Sequence, residues 1–138
     1  LASDIDSQVL QKAQAGIYQI DRIKSLSAER CQQFFFKGKG ARSGMVKVVP
    51  ELQQMITFKQ LNLLQPQWPM TAPIDIIFCR NVMIYFDRAT QLQILERMVK
   101  LLPADGLYIA GHSENFGHAT HLVKPAGRTT YQPNIAAR

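Results

Sequence analysis

Cysteine is scarce in this sequence: Cys31 and Cys79 are the two among 138 residues. They stand far apart with no zinc-type spacing around either. A disulfide framework and a cysteine-built metal site are thereby excluded, no metal is expected, and both residues read as free thiols of a reducing compartment, the cytoplasm. Long apolar runs are missing too. None approaches the roughly 18 residues that a membrane helix needs, so no membrane insertion is expected. There is no internal repeat and no low-complexity segment. Leu1-Ala2-Ser3-Asp4 lacks a basic start and carries acid at once, so no secretory leader is expected there. Acid is thin in one region: between Arg22 and Lys47, Glu29 is the one acidic residue against seven basic ones (Arg22, Lys24, Arg30, Lys37, Lys39, Arg42, Lys47).

What is present describes an ordered chain. Apolar residues make up 46% and charged residues 19%, values of a folded domain with a sizeable core. The net charge of +6 arises largely in the basic region. Such a patch suits a carboxylate-rich protein surface, nucleic acid or anionic lipid, and equally an ordinary solvated face. No recognition helix and no motif of clustered exposed aromatics supports nucleic acid, which ranks last.

The segment Asp75-Ile76-Ile77-Phe78-Cys79-Arg80-Asn81-Val82-Met83-Ile84-Tyr85-Phe86 carries the strongest signal. A short continuous apolar run, with Pro73 before it and Arg80-Asn81 after it, reads as a strand buried on both faces. In open α/β sheets ligands bind outside the carboxyl ends of such strands, which is where the polar pair and Tyr85 fall. Leu107-Tyr108-Ile109-Ala110-Gly111 reads as another buried strand, ending in His112-Ser113-Glu114-Asn115. Between the two, Asp87 caps a helix whose stripe is Leu92, Leu95, Met98, Val99 and Leu102. Near the start, Leu1 to Asp6 reads as the end of a strand. Ser7 to Ala15 follows as a helix, capped by Asp6 or Ser7, stopped by Gly16, and burying Val9, Leu10 and Ala13. From 17 to 58 the pattern becomes a small antiparallel module: a helical turn into Phe34-Phe35-Phe36, the loop Lys37-Gly38-Lys39-Gly40-Ala41-Arg42-Ser43-Gly44, and short strands at Met45–Val49 and Met55–Phe58. A closing hairpin is expected from His121–Lys124 and Arg128–Gln132, turning at Gly127. Strands alternating with helices predict an α/β frame with a parallel sheet.

Phe78-Cys79-Arg80-Asn81-Val82-Met83-Ile84-Tyr85-Phe86, followed one βα unit later by Gly111-His112-Ser113-Glu114-Asn115-Phe116, closely resembles the chemotaxis receptor methyltransferases, the CheR-type protein-glutamate O-methyltransferases. Ala2 to Asp6, Val9 to Ala13, Asn62-Leu63-Leu64 and Arg128 to Tyr131 fit the same family in order, so the resemblance covers essentially the whole chain. It implies an incomplete Rossmann-like S-adenosylmethionine methyltransferase sheet with a small antiparallel β subdomain inserted at 17–58. The chain would be the C-terminal part, 1–138, without the family's N-terminal helical domain and first βα unit. Gly38-Lys39-Gly40 does not replace that unit's loop, since it precedes a strand rather than a helix.

The resemblance also assigns roles. Asp4 would bind the ribose hydroxyls of S-adenosylmethionine, although an acid there could instead cap the helix. Asn62 and Leu63 would hold the adenine; without the family, an asparagine after a strand reads as a turn residue. Arg80 and Asn81 would contact the cofactor, the residue-level alternative being an ion pair of Arg80 with Asp75, Asp87 or Glu114. Tyr85 would be the catalytic residue, orienting the acceptor carboxylate by one hydrogen bond, where spacing alone gives a half-buried core tyrosine. Lys37, Gly38, Gly40, Gly44 and Lys47 would dock an acidic-aromatic receptor-tail peptide added as a strand. His112, Ser113 and Glu114 are no triad, since neighbours along a strand end point apart. His112 is expected to bond a nearby loop and Glu114 an arginine. The function implied is methyl transfer to receptor glutamates, this chain alone being inactive; the alternative is a non-catalytic module binding an acidic receptor tail. Open strand edges further predict self-association.

Overall fold

Asp6 sets the first helix. In the computed structural model, which describes residues 1–135, its carboxylate accepts the N–H groups of Gln8 and Val9 at 2.7 and 3.4 Å. That caps helix α1 (Ser7–Ala15), and Gly16, at φ 62, ends it in the left-handed conformation that glycine adopts without strain. Contacts divide the chain into two units, Leu1–Pro69 and the residues from Met70 on.

In the first unit, β1 (Ala2–Asp4) pairs in parallel with β5 (Phe58–Gln60), Asp4 opposite Gln60. Between them runs a three-stranded antiparallel sheet of β2 (Ile17–Gln19), β3 (Phe35–Lys37) and β4 (Met45–Val48), with β4 in the middle. Ser27 caps α2 (Ala28–Phe34), and α3 (Pro50–Gln54) follows β4. Two expectations are corrected here. The strand placed at Met55–Phe58 begins at Phe58 and joins β1 in parallel, outside the antiparallel sheet. And α1 fully buries none of its residues; Val9 is exposed.

In the second unit, β6 (Ile76–Cys79) and β7 (Leu107–Ala110) run parallel; β8 (Val123–Pro125) and β9 (Thr130–Pro133) complete the order β6-β7-β9-β8. The last pair is the expected antiparallel hairpin at a sheet edge. Asp87 caps α4 (Arg88–Leu101), accepting the Thr90 N–H at 2.8 Å, and the helix buries Ile94, Leu95, Met98 and Val99. Around these lie Tyr108, Phe116 and Tyr131, with ring centroids 5.5 to 6.4 Å apart. The β6 strand is not buried on both faces: Cys79 is, while Ile76 and Phe78 are 47% and 69% exposed. It is an edge strand, and α4, the one α-helix among this unit's described residues, can cover a single sheet face. Among the described residues no helix is long and apolar enough to cross a membrane.

Candidate functional site

The parallel pairing of β1 with β5 brings the first group of polar residues together. Asp4 ends β1, the Leu61 N–H donates to its carbonyl at 2.9 Å, and Asn62 follows at once. Because Asp6 caps α1, Asp4 is free of that task; its Oδ1 accepts the Asp6 N–H at 2.9 Å. Asn62 accepts the Leu64 N–H at 2.9 Å through Oδ1, a local turn that directs its amide nitrogen away. The Leu63 carbonyl accepts the indole N–H of Trp68 at 3.3 Å.

The second group gathers where β6 and β7 end. Arg80 is exposed, and its Nη2 lies 3.3 Å from Nδ1 of His112. Asn81 has φ 59, a left-handed backbone that asparagine tolerates better than most residues. Val82 and Met83 then donate their N–H groups to Oε1 of Glu114 at 3.0 and 2.8 Å, and Gly111 donates to Oε2 at 2.6 Å. Glu114, 7% exposed, thus binds three main-chain amides and, among the described residues, no arginine of the kind expected. Its buried charge is stabilised by those donors. Met83–Tyr85 form a single 3₁₀ turn, and the Gln91 side chain donates to the Met83 and Phe86 carbonyls, both at 2.9 Å. The segment is held at its start by Glu114 and at its end by Gln91, and Tyr85, 81% exposed, projects from it. Glu114, Gln91 and Gly111 are the residues that sequence reasoning missed; the Gly-His-Ser-Glu-Asn string marked two of them without disclosing that their partners are backbone atoms.

Cys79 sits within the motif yet belongs to the core. Burial pushes its thiol up to about 11, and its neighbour Tyr108 is likewise held above the ordinary phenol range by burial. The Tyr108 hydroxyl is buried with no hydrogen bond of good geometry, the adjacent thiol being the group it interacts with. A protonated thiol is a poor nucleophile, so neither group is placed for chemistry.

In the antiparallel sheet, Lys47 stands opposite both Ile17 and Phe36, while Lys37 stands opposite Val46. The register therefore sets the two lysines on opposite faces. A cleft of about 180 Å³ lies here, lined by Ile17, Phe36, Met45, Arg42 and Lys47 together with Lys37 and Gly38. At Gly38 a Cβ would collide with the Arg42 carbonyl, and Gly44 takes φ 84, so both positions call for glycine.

Residues 1–132 match the family described as CheR methyltransferase, SAM binding domain. The chain is 50% identical over 133 residues to chemotaxis protein methyltransferase 2 of Pseudomonas aeruginosa, covering 96% of the chain and 48% of that protein. It is 49% identical over 130 residues to the chemotaxis protein methyltransferase of Escherichia coli, covering 94% and 46%. With that of Borreliella burgdorferi the identity is 35% over 136 residues, covering 97% and 46%. The chain spans about half the length of these relatives. S-adenosylmethionine is the cofactor of the matched domain, and the chain belongs to the CheR methyltransferase family.

Proposed function

We propose that this chain supplies the S-adenosylmethionine-binding part of an enzyme that methylates glutamate side chains of chemotaxis receptors. The observation that carries the reading is the family match over residues 1–132. The Rossmann-like sheet, with 17–58 as an inserted module, is part of the proposal. So is the family's N-terminal part, as the rest of the working enzyme. Membership of a methyltransferase family weighs against a purely non-catalytic module.

The residues present fit the cofactor. The second oxygen of Asp4 remains for a ribose hydroxyl, since Oδ1 is bonded to the Asp6 N–H. The Asn62 amide nitrogen suits an adenine ring nitrogen, its oxygen being bonded to Leu64, and main-chain groups at Leu63 lie beside it. Arg80 and Asn81 take cofactor-facing roles at the β6 end. When bound, S-adenosylmethionine supplies an electrophilic methyl group on a sulfonium. A glutamate carboxylate is already ionised at neutral pH, so no strong base is needed and positioning carries most of the catalysis. The Tyr85 hydroxyl orients that carboxylate from a turn fixed by Glu114 and Gln91.

A receptor-tail role for the three-stranded sheet stands beside this. The cleft along Lys47 combines basic and apolar walls, suiting an acidic-aromatic peptide added as a strand, whose alternate side chains would meet Lys37 and Lys47 on the two faces.

The test joins this chain to the family's N-terminal part and measures methyl transfer from S-adenosylmethionine to a receptor cytoplasmic fragment. A base-labile methyl ester on glutamate is expected. Tyr85→Phe should lower kcat by up to about tenfold, as loss of one hydrogen bond does. A folded, cofactor-binding protein that transfers nothing sinks the proposal.

A further inference from the structure

The turn that carries Tyr85 borders a larger cleft, of about 630 Å³, which the roles above leave unused. Ile84, next to Tyr85 in the chain, forms part of one wall. The start of α4 contributes Arg88 and Gln91, and the stretch after β7 contributes Ser113, Asn115 and His118.

The polar groups on these walls are mainly donors. Arg88 is exposed and makes no ion pair among the described residues. The His118 ring is exposed and set by a tilted contact with the buried Phe116 ring, centroids 6.3 Å apart. Asn115 accepts the Gly117 N–H through Oδ1 at 2.7 Å, leaving its amide N–H groups to donate. Gln91 is the exception. Both bonds of its amide nitrogen go to the Met83 and Phe86 carbonyls, leaving its carbonyl oxygen as an acceptor. Glu114 also borders the cleft, but its two oxygens already hold three main-chain N–H groups. The lining therefore offers a guanidinium, an imidazole and neutral amide N–H groups, with the Gln91 oxygen and the Ser113 hydroxyl as acceptors. That pattern matches a polypeptide bearing carboxylates.

We infer that this cleft receives the acidic stretch of polypeptide beside the acceptor glutamate, with side-chain carboxylates on Arg88 and His118 and a backbone N–H on the Gln91 oxygen. The inference rests on the proposed function and adds a substrate anchor adjoining the turn of Tyr85. A guanidinium meets a carboxylate in a two-bond geometry, so Arg88 carries most of the selectivity.

The experiment titrates a labelled peptide, a central glutamate flanked by acidic residues, into the chain at low salt and reads fluorescence anisotropy. Arg88→Glu should weaken binding by about tenfold or more, the size expected for losing one charge-assisted hydrogen bond. His118→Ala should weaken it less. Exchanging the flanking acids for lysine should restore binding to R88E and abolish it for the unaltered chain, which a merely structural effect of the substitution would not do. Lys12→Glu, an exposed position of the other unit, should change nothing. Absence of binding, equal binding by R88E, or equal displacement by an oligonucleotide of the same charge overturns the inference. The complemented enzyme separates this reading from the one beneath it. If it methylates receptor glutamates with an unchanged KM in R88E, the cleft assignment alone falls. If R88E loses the peptide while that enzyme transfers nothing, the methyl-transfer reading alone falls.

Discussion

Replacing Glu114 should loosen the segment that carries Tyr85 without touching Tyr85 itself. The carboxylate accepts N–H groups of Val82, Met83 and Gly111 at 3.0, 2.8 and 2.6 Å. Val82 is exposed enough for water to replace its bond, whereas Met83 and Gly111 are buried. Each buried donor left unpaired costs about 1–3 kcal/mol, so Glu114→Ala should destabilise the second unit by about 2–6 kcal/mol. That is a large share of the roughly 5–15 kcal/mol that holds a domain together. Glu114→Gln is the more discriminating variant. Its oxygen can keep the Val82 and Met83 bonds, but its NH₂ then meets the Gly111 N–H, donor against donor, for a loss of about 1–3 kcal/mol. Urea denaturation followed by far-UV circular dichroism gives the stability change, and amide hydrogen exchange by NMR locates it. Gly111 should lose protection in E114Q while Met83 keeps most of its own. Gly111→Ala reaches the same device from the other side: a Cβ there would lie 2.8 Å from the Asn81 nitrogen and 2.9 Å from Glu114 Oε2. Combined, G111A and E114Q should therefore cost less than the sum of the two. An E114Q protein within about 0.5 kcal/mol of the original, with Gly111 still protected, would refute the clamp.

Cys79 should resist thiol reagents in the native chain while Cys31 reacts, since at pH 8 a thiol with pKa about 11 is ionised to about one part in a thousand; both should react in denaturant. The folded state holds this proton longer than the unfolded one. Its stabilisation is thus intact below about pH 9 and declines by about 3 kcal/mol as the pH climbs through 11, a limb that Cys79→Ala should flatten in alkaline denaturation curves. Asp4→Asn retains an oxygen for the Asp6 N–H but loses the anionic acceptor, so calorimetry should show S-adenosylhomocysteine binding about tenfold weaker or worse; unchanged affinity removes Asp4 from the cofactor. Lys47→Glu should abolish low-salt binding of an acidic-aromatic tail peptide, and a peptide indifferent to it would take the docking role from that face.

What was legible in the sequence is what depends on neighbours along the chain. Asp6 and Gly16 bound α1, and Asp87 starts α4, because caps act within three or four residues. The closing hairpin turns at a glycine between two strand-like runs. What depends on distant partners was not legible. The apolar run at Ile76–Cys79 shows that a strand forms, but whether its second face is covered depends on how many helices the unit has. Strand Phe58–Gln60 has no local mark of its partner, and its parallel pairing with Ala2–Asp4 crosses more than fifty residues of chain. Helix α3 was missed because Pro50 opens it with no side-chain cap to announce it.

The motif around Tyr85 shows why the site was only half readable. Its string of polar side chains invites a chemical role for each, yet the structure gives several of them to the backbone. Asn81 takes a left-handed turn; Gly111 leaves room for Asn81 and Glu114; Glu114 and Gln91 hold the amides and carbonyls of the turn between them. Gly111, Glu114 and Gln91 share one consequence, a fixed backbone turn beneath Tyr85, and none needs to touch a ligand to produce it. Main-chain partners leave no trace in side-chain patterns, so such residues cannot be told from catalytic ones by sequence. Geometry divides the motif: Arg80, Asn81 and Tyr85 stand exposed, and Gln91, Gly111 and Glu114 hold the frame of the turn between them.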